Sequence, residues 1–458
     1  MQSKSQAPSI TTGPITAQIL LFFFPILLGT FFQQLYNTVD TIIVGNFVGT
    51  TTALAAVGGA TGQLVNLFVG FFIGLSSGCG VIISQYYGAN DHRSVSKSVH
   101  TALAFSLISG VVIMVLGLAL TDFSLRAMSL PAEIMPEATA YLRIFFLGMI
   151  PNLFYNMGAA VLRAIGDSKR PLYFLILSCL CNIVLDLVFV AFLRLGVSGA
   201  ALATILSQLA SAVMVLFVLL RTKSGVRLIP SQLRLEPFWL KKMIYVGLPA
   251  GLQSTMYTVS NIIVQATINS FGTNTIAAVT AYGKMDVIFW MVINAFGIAI
   301  TTFVGQNFGA GKADRAFRGF RISLLLAAVG TLTLSAVIWF FGMDLLLFFT
   351  KNPDVLAICN RLIHFVVPFF ITYIPIEICS GTLRGMGNSW VPMIFTMLGV
   401  CVLRMFWIFL AVPRNRDILT LMTAYPISWI TTSVALSLYL FLTRRKYLPQ
   451  RSESEKSS

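Results

Sequence analysis

Twelve stretches of about twenty or more predominantly apolar residues, each bounded by charge, proline or glycine, dictate the solvent in which this chain folds. A hydrocarbon layer of about 30 Å is crossed by about twenty helical residues at 1.5 Å each. The stretches fall near 16–45, 55–84, 96–120, 137–162, 171–193, 198–221, 243–269, 276–305, 316–341, 355–383, 391–412 and 420–443. Runs such as Leu202 to Leu220 are long and lack the apolar–polar alternation of a barrel strand. A helix satisfies its own backbone in lipid, so the expected fold class is an all-α integral membrane protein of twelve transmembrane helices. With 57% hydrophobic and 10% charged residues, the chain could not clothe a water-facing surface. The polar opening Met1 to Pro14 leads into a first span that carries Gln33, Asn37 and Asp40 and lacks a small-residue cleavage site, so that span is expected to be retained.

The net charge of +15 would suit nucleic acid only if the basic residues shared one solvated surface. They alternate between loops instead. Twenty-two lie in the termini and the even-to-odd loops, against seven (Arg126, Arg143, Arg194, Lys351, Arg361, Arg414 and Arg416) on the opposite side. The positive-inside bias predicts a multi-pass protein of the cell (inner) membrane with both termini cytoplasmic, lipid as its surroundings and no nucleic-acid partner. All six cysteines fall inside spans without paired C-x-x-C spacing, which reads as packing.

An internal repeat decides the architecture. Gln85, Gly88 and Ala89 recur as Gln306, Gly309 and Ala310, since 306 minus 85 is 221. Leu162, Arg163, Gly166, Ser168 and Pro171 recur as Leu383, Arg384, Gly387, Ser389 and Pro392 at the same offset. A third match sets T-V-D-T-I-I-V from Thr38 against T-V-S-N-I-I-V from Thr258, so that Asp40 faces Ser260 at offset 220. Six spans per repeat make two parallel halves, the arrangement in which two lobes rock about a central site. The expected divisions are 1–222 (N-lobe, helices 1–6), a basic cytoplasmic linker 223–242, 243–445 (C-lobe, helices 7–12) and a polar cytoplasmic tail 446–458. Pro25 and Pro249 stand in corresponding places and suit bending.

Ionisable groups at membrane depth are functional candidates because each is unfavourable there by a few kcal/mol. Gln33, Tyr36, Asn37 and Asp40 form a polar stripe at helical spacing. Asn182 and Asp186 are four apart on the fifth span, and at 1.5 Å per residue Asp186 lies at a depth similar to Thr204 on the sixth. Two carboxylates with amide and hydroxyl oxygens can ligate Na⁺ or share a proton, so Asp40, Asn182, Asp186 and Thr204 are the expected coupling site. The expected substrate cavity takes in Gln33, Gln34, Tyr36, Asn37, Asn156, Lys284, Asp286 and Glu377. Lys284 could reach across it toward Asp40, and Arg404 is expected to neutralise Glu377. G-A-G-K-A (Gly309 to Ala313) lacks the remaining residues of a phosphate-binding loop, and His92, His100 and His364 form no metal cluster, so catalysis has little support.

Taken together, Y-N-T-V-D-T-I-I-V-G (Tyr36 to Gly45), S-Q-Y-Y-G-A, L-R-A-I-G-D-S-K-R-P, T-F-V-G-Q-N-F-G-A-G-K-A-D-R (Thr302 to Arg315) and L-R-G-M-G-N-S resemble the multidrug and toxic compound extrusion family from about Ile15 to Leu442. The resemblance implies a two-lobed antiporter exporting organic cations, dyes and amphipathic drugs against inward Na⁺ or H⁺. It needs no cofactor beyond that ion, and a monomer is expected. It also maps the family's N-lobe ion site onto Asp40, Asn182, Asp186 and Thr204. The alternatives are a flippase for lipid-linked precursors, which would call for a cavity rich in arginine, and a polytopic membrane enzyme.

Overall fold

The computed structural model describes Ile10 to Tyr447 apart from Ser129, Lys223 and Phe348, together with the backbone alone at Thr51, Leu54, Ala55 and Ala60. The expected N-terminal opening before Ile10, Lys223 of the linker and the tail beyond Tyr447 lie outside the described residues. Among the described residues all regular structure is helical. The first six rods are α1 (Ile15–Phe47), α2 (Ala60–Gly88, led in by Thr51–Gly58), α3 (His92–Ala127), α4 (Met135–Leu147 and Met149–Ala164), α5 (Lys169–Asp186 and a π-helical turn Leu187–Phe192) and α6 (Gly196–Arg221). The second six are α7 (Pro237–Asn269), α8 (Thr273–Gly309), α9 (Ala313–Leu346), α10 (Pro353–Val366 and Phe370–Gly385), α11 (Trp390–Thr396, Met397–Val402 and Leu403–Ala411) and α12 (Ala424–Tyr447, led in by Ile418–Met422).

Ten of these rods are long and apolar enough to cross a membrane, and the two pieces of α4, bent by 51°, make an eleventh. The twelfth is α7, in which Lys241, Lys242, Gln253, Asn261 and Gln265 dilute the apolar run. Pro151 accounts for the bend in α4, because it has no N–H for the preceding turn and its ring crowds that turn's carbonyl. Large apolar side chains face outward, with Phe192 82% and Phe340 74% exposed, as lipid contact allows.

The repeat is a repeat of backbone geometry. The N–H groups of Gly166 and Asp167 donate to Arg163 O (2.9 Å) and Leu162 O (3.0 Å), and those of Gly387 and Asn388 to Arg384 O (2.8 Å) and Leu383 O (2.9 Å). Both are the paired bonds that close a helix through a left-handed residue, here glycine at φ +93° and +88°. The same closure ends α2 and α8. Asn90 and Asp91 donate to Tyr87 O (3.1 Å) and Tyr86 O (3.0 Å), and Gly311 and Lys312 to Phe308 O (3.0 Å) and Asn307 O (2.8 Å). Asn90 at φ +58° therefore does what Gly311 does at +71°, since asparagine tolerates the left-handed region better than most residues.

Packing divides the described chain into two compact units, Phe24–Thr255 and Ile10–Phe23 with Met256 onward. The divisions fall inside α1, beside Pro25, and inside α7, whose first turns (237–242) take up the end of the expected linker. Within the first unit the opening half of α7 lies against α2 along a seam of glycines. A methyl built on Gly74 would stand 2.4 Å from Gly251 N, and one on Gly78 2.3 Å from Gly247 Cα, so the two backbones touch. Lys242 Nζ donates to Tyr86 Oη at 2.7 Å beside this seam. The second unit holds the start of the chain by polar bonds. Arg315 donates to Gly13 O and to Gln18 Oε1, both at 2.8 Å, and Lys312 donates to Thr11 O at 3.0 Å. Phe23 stacks on Phe296 with centroids 4.0 Å apart. Lys312, from the segment that mimics a phosphate-binding loop, thus helps fasten the residues that lead into α1.

Candidate functional site

In the first unit α1, α5 and α6 bring Asp40, Asn182, Asp186 and Thr204 together in the interior. All four are at most 5% exposed, and Asn182 and Asp186 are fully enclosed. The i, i+4 spacing puts Asn182 and Asp186 on one face of α5, and the π-helical turn begins at the residue after Asp186. Such turns insert an extra residue into the helical ladder and are frequent at functional sites. Thr204 Oγ1 donates to Asp40 Oδ2 at 3.3 Å. Asp186 and Asn182 lie close enough to Asp40 for their polar groups to interact. Even so, Asp40 Oδ1, both carboxyl oxygens of Asp186 and both amide atoms of Asn182 make no formed hydrogen bond. None of the ion pairs among the described residues brings a lysine or arginine to either aspartate.

Two carboxyl groups in one enclosed site with no cationic partner repel each other when both are ionised, and each has lost its hydration. The arrangement is relieved by a proton shared between them or by a small cation among their oxygens, with the Asn182 carbonyl as a further ligand.

Asp40 and Thr204 also face a cavity of about 300 Å³ that lies wholly within the first unit. Gln33, Tyr36, Asn37 and Asn156 line it, while Gln34, Asn182 and Asp186 are not among its lining residues. The polar stripe of α1 forms one wall. Further lining comes from Asn66 on α2, Tyr141 and Asn152 on α4, and Ser207, Gln208 and Ser211 on α6. These lie outside the residues expected from the sequence. Thr204, Ser207, Gln208 and Ser211 repeat at helical spacing on an otherwise apolar rod, and Asn152 and Asn156 are four apart, so a search for polar stripes beyond ionisable residues would have found them. Nothing in the sequence singles out Tyr141, which only the packing of α4 brings inward.

The remaining expected cavity residues belong to the second unit. Lys284 is exposed on α8, and it forms no ion pair among the described residues. Asp286 accepts a hydrogen bond from Trp290 Nε1 at 2.7 Å. Glu377 pairs with Arg384 at 2.9 Å. The expectation that Arg404 neutralises Glu377 is corrected, because Arg384, seven residues on and two helical turns away on the same helix, reaches that carboxylate. Arg404 instead lies over the ring of Tyr425, 4.2 Å from its centroid, and donates to Ser428 Oγ at 3.4 Å.

The MatE family model matches residues 25–188 and 249–410. The chain is 29% identical over 402 residues to the probable multidrug resistance protein YpnP of Bacillus subtilis (strain 168), covering 87% of this chain and 89% of YpnP. It is 24% identical over 413 residues to the probable multidrug resistance protein NorM of Thermotoga maritima, covering 88% and 87%. Its fold superimposes with a TM-score of 0.90 on a MOP superfamily transporter from Pyrococcus furiosus, at 22% identity and coverage of 97% and 99%. Matched by the family model over both halves, this twelve-rod helical chain with internally duplicated turns belongs to the MatE family, the multidrug and toxic compound extrusion transporters, and is a multi-pass membrane efflux protein and not an enzyme.

Proposed function

We propose that this chain exports small organic molecules in exchange for inward Na⁺ or H⁺, with Asp40, Asn182, Asp186 and Thr204 as the coupling site. The observation that carries the reading is the enclosed carboxyl pair, three of whose four oxygens lack a hydrogen-bond donor and neither of whose acids has a cationic partner in an ion pair, set against the wall of a cavity large enough for a small solute. Ion entry and cargo occupancy meet at Asp40, which belongs to both. A cation or proton held there removes the negative charge that faces the cavity, so the two ligands bias the site in opposite directions, as exchange requires. The protein acts as a monomer in the cell membrane, with the basic loops and both termini in the cytoplasm.

The flippase reading finds no support in this cavity. Its lining residues include no lysine or arginine to meet a lipid-linked diphosphate.

The test is efflux from proteoliposomes loaded in turn with a radiolabelled polar solute and a fluorescent organic cation, with a Na⁺ gradient and a pH gradient imposed separately. Efflux of either solute driven by one gradient, and reduced to the protein-free rate in Asp40→Asn, supports the reading and names the ion. Efflux indifferent to both gradients, or gradient-driven efflux retained in both Asp40→Asn and Asp186→Asn, overturns it.

A further inference from the structure

The lining of the first-unit cavity is unusual for a pocket that accepts lipophilic drugs. Such pockets are built mainly of aliphatic, aromatic and methionine surface with a few polar groups. Here six side-chain amides, Gln33, Asn37, Asn66, Asn152, Asn156 and Gln208, share one space of about 300 Å³, and no methionine, tryptophan, lysine or arginine is among the lining residues. Gln33, Asn37 and Asn66 are exposed to that space. The Asn156 amide nitrogen is turned back onto Asn152, donating to its O at 2.9 Å and its Oδ1 at 3.1 Å, which leaves the Asn156 carbonyl oxygen for the cavity. Each free amide offers a donor and an acceptor side by side.

That surface has a consequence for cargo. A ligand that cannot form hydrogen bonds strips water from the amides and leaves them unpaired, and sites built to bond hydroxyl and amide groups reject analogues without them far more strongly than apolar pockets reject one another's ligands. Vicinal hydroxyls, amides and nucleobase edges supply donors and acceptors at the spacing an amide presents. Tyr36, Tyr141 and Tyr155 add flat surfaces against which a ring can lie. Asp40 is the one ionisable acid in the lining, so a single positive charge is accommodated, whereas nothing there answers a phosphate.

We infer that the cargo of this cavity is a hydrophilic solute of roughly nucleoside size, uncharged or carrying one positive charge and bearing several hydroxyl or amide groups, and that a lipophilic cation is a poor ligand. The inference deepens the transport reading, resting on the cavity being the cargo site, and narrows what the family resemblance implies.

Equilibrium binding to the purified full-length chain in detergent tests it without any gradient, using radiolabelled cytidine, N-acetylglucosamine and tetraphenylphosphonium. The expected result is that at least one polar probe binds, with tetraphenylphosphonium at least tenfold weaker. Asn37→Leu combined with Asn66→Leu should weaken the polar probe at least tenfold while tetraphenylphosphonium is unchanged or tighter. Asn66→Asp keeps the shape, removes the amide donors and provides a milder variant if the double substitution does not fold; it should weaken the polar probe several-fold. Tetraphenylphosphonium binding as tightly as the polar probes, or neither polar probe binding, overturns the inference. The coupling reading fails separately. Polar binding retained with efflux indifferent to both gradients overturns coupling alone, and preference for tetraphenylphosphonium with gradient-driven efflux intact overturns the cargo class alone.

Discussion

Where the first unit buries Asp40, the second buries Ser260, 220 residues later and fully enclosed in its turn. The first unit collects carboxyl groups around this depth without a cation. The second holds Arg404, 3% exposed, over Tyr425 and bonded to Ser428, without a carboxylate in its ion pairs among the described residues. The turns that close the helices are the same in both units, bond for bond. A duplicated backbone therefore accepts a hydroxyl where it also accepts an acid, so the acid is not there to set helix register. What has diverged is the charge in the interior, which is where a transporter binds ions and cargo.

The sharpest way to break this comparison is to exchange the differing residues. Asp40→Asn should reduce gradient-driven efflux to the protein-free rate while the protein still inserts and elutes as one species, whereas Ser260→Ala should leave efflux within about twofold of wild type. Equal loss in both, measured in the same proteoliposomes, would mean that the two positions are equivalent after all. An intermediate effect is expected at Arg404. Arg404→Ala removes a buried guanidinium from its aromatic partner and leaves a void, at a cost of about 2–3 kcal/mol. Arg404→Met fills the space without a charge and should recover most of that, as apolar replacements of buried ions commonly do. Thermal unfolding in detergent reads both, and a methionine variant as unstable as the alanine one would point to an ionic role. The smallest effect sharpens the shared part. Gly166→Ala and Gly387→Ala each force a Cβ into the left-handed region and should each destabilise by about 1–2 kcal/mol, equally in the two units. Asn90→Gly, which gives the first unit the residue the second uses at Gly311, should change stability by less than about 1 kcal/mol in the same melting experiment.

Much of this was legible in the residues because lipid enforces simple rules. An apolar run of fixed length, basic loops that alternate in number and an exact residue offset are local quantities, and the twelve rods follow them closely. The left-handed glycines were visible as repeated letters before their φ angles gave the reason. Asp40, Asn182, Asp186 and Thr204 could be gathered by depth alone, because a straight helix converts residue number into height. Direction around the helix axis is less forgiving. Gln34 sits beside Gln33 yet does not line the cavity, and Glu377 is met by Arg384 and not by Arg404. Sequence position alone does not say which arginine turns toward that carboxylate.

The sequence by itself determined the solvent, the number of rods, the duplication and the identity of the charges that lipid would not tolerate without cause. Those properties follow from composition, length and period, each of which a single strand of letters carries in full. Tertiary structure decided which polar atoms are left without partners, that α1 and α7 each divide their packing between two units, and that amides from α1, α2, α4 and α6 share one cavity. These depend on the bend at Pro151, the π-helical turn after Asp186 and the glycine seam beside Gly74. Each is a departure of a few ångströms from a straight helix, small against the chain and decisive at the distance of a hydrogen bond.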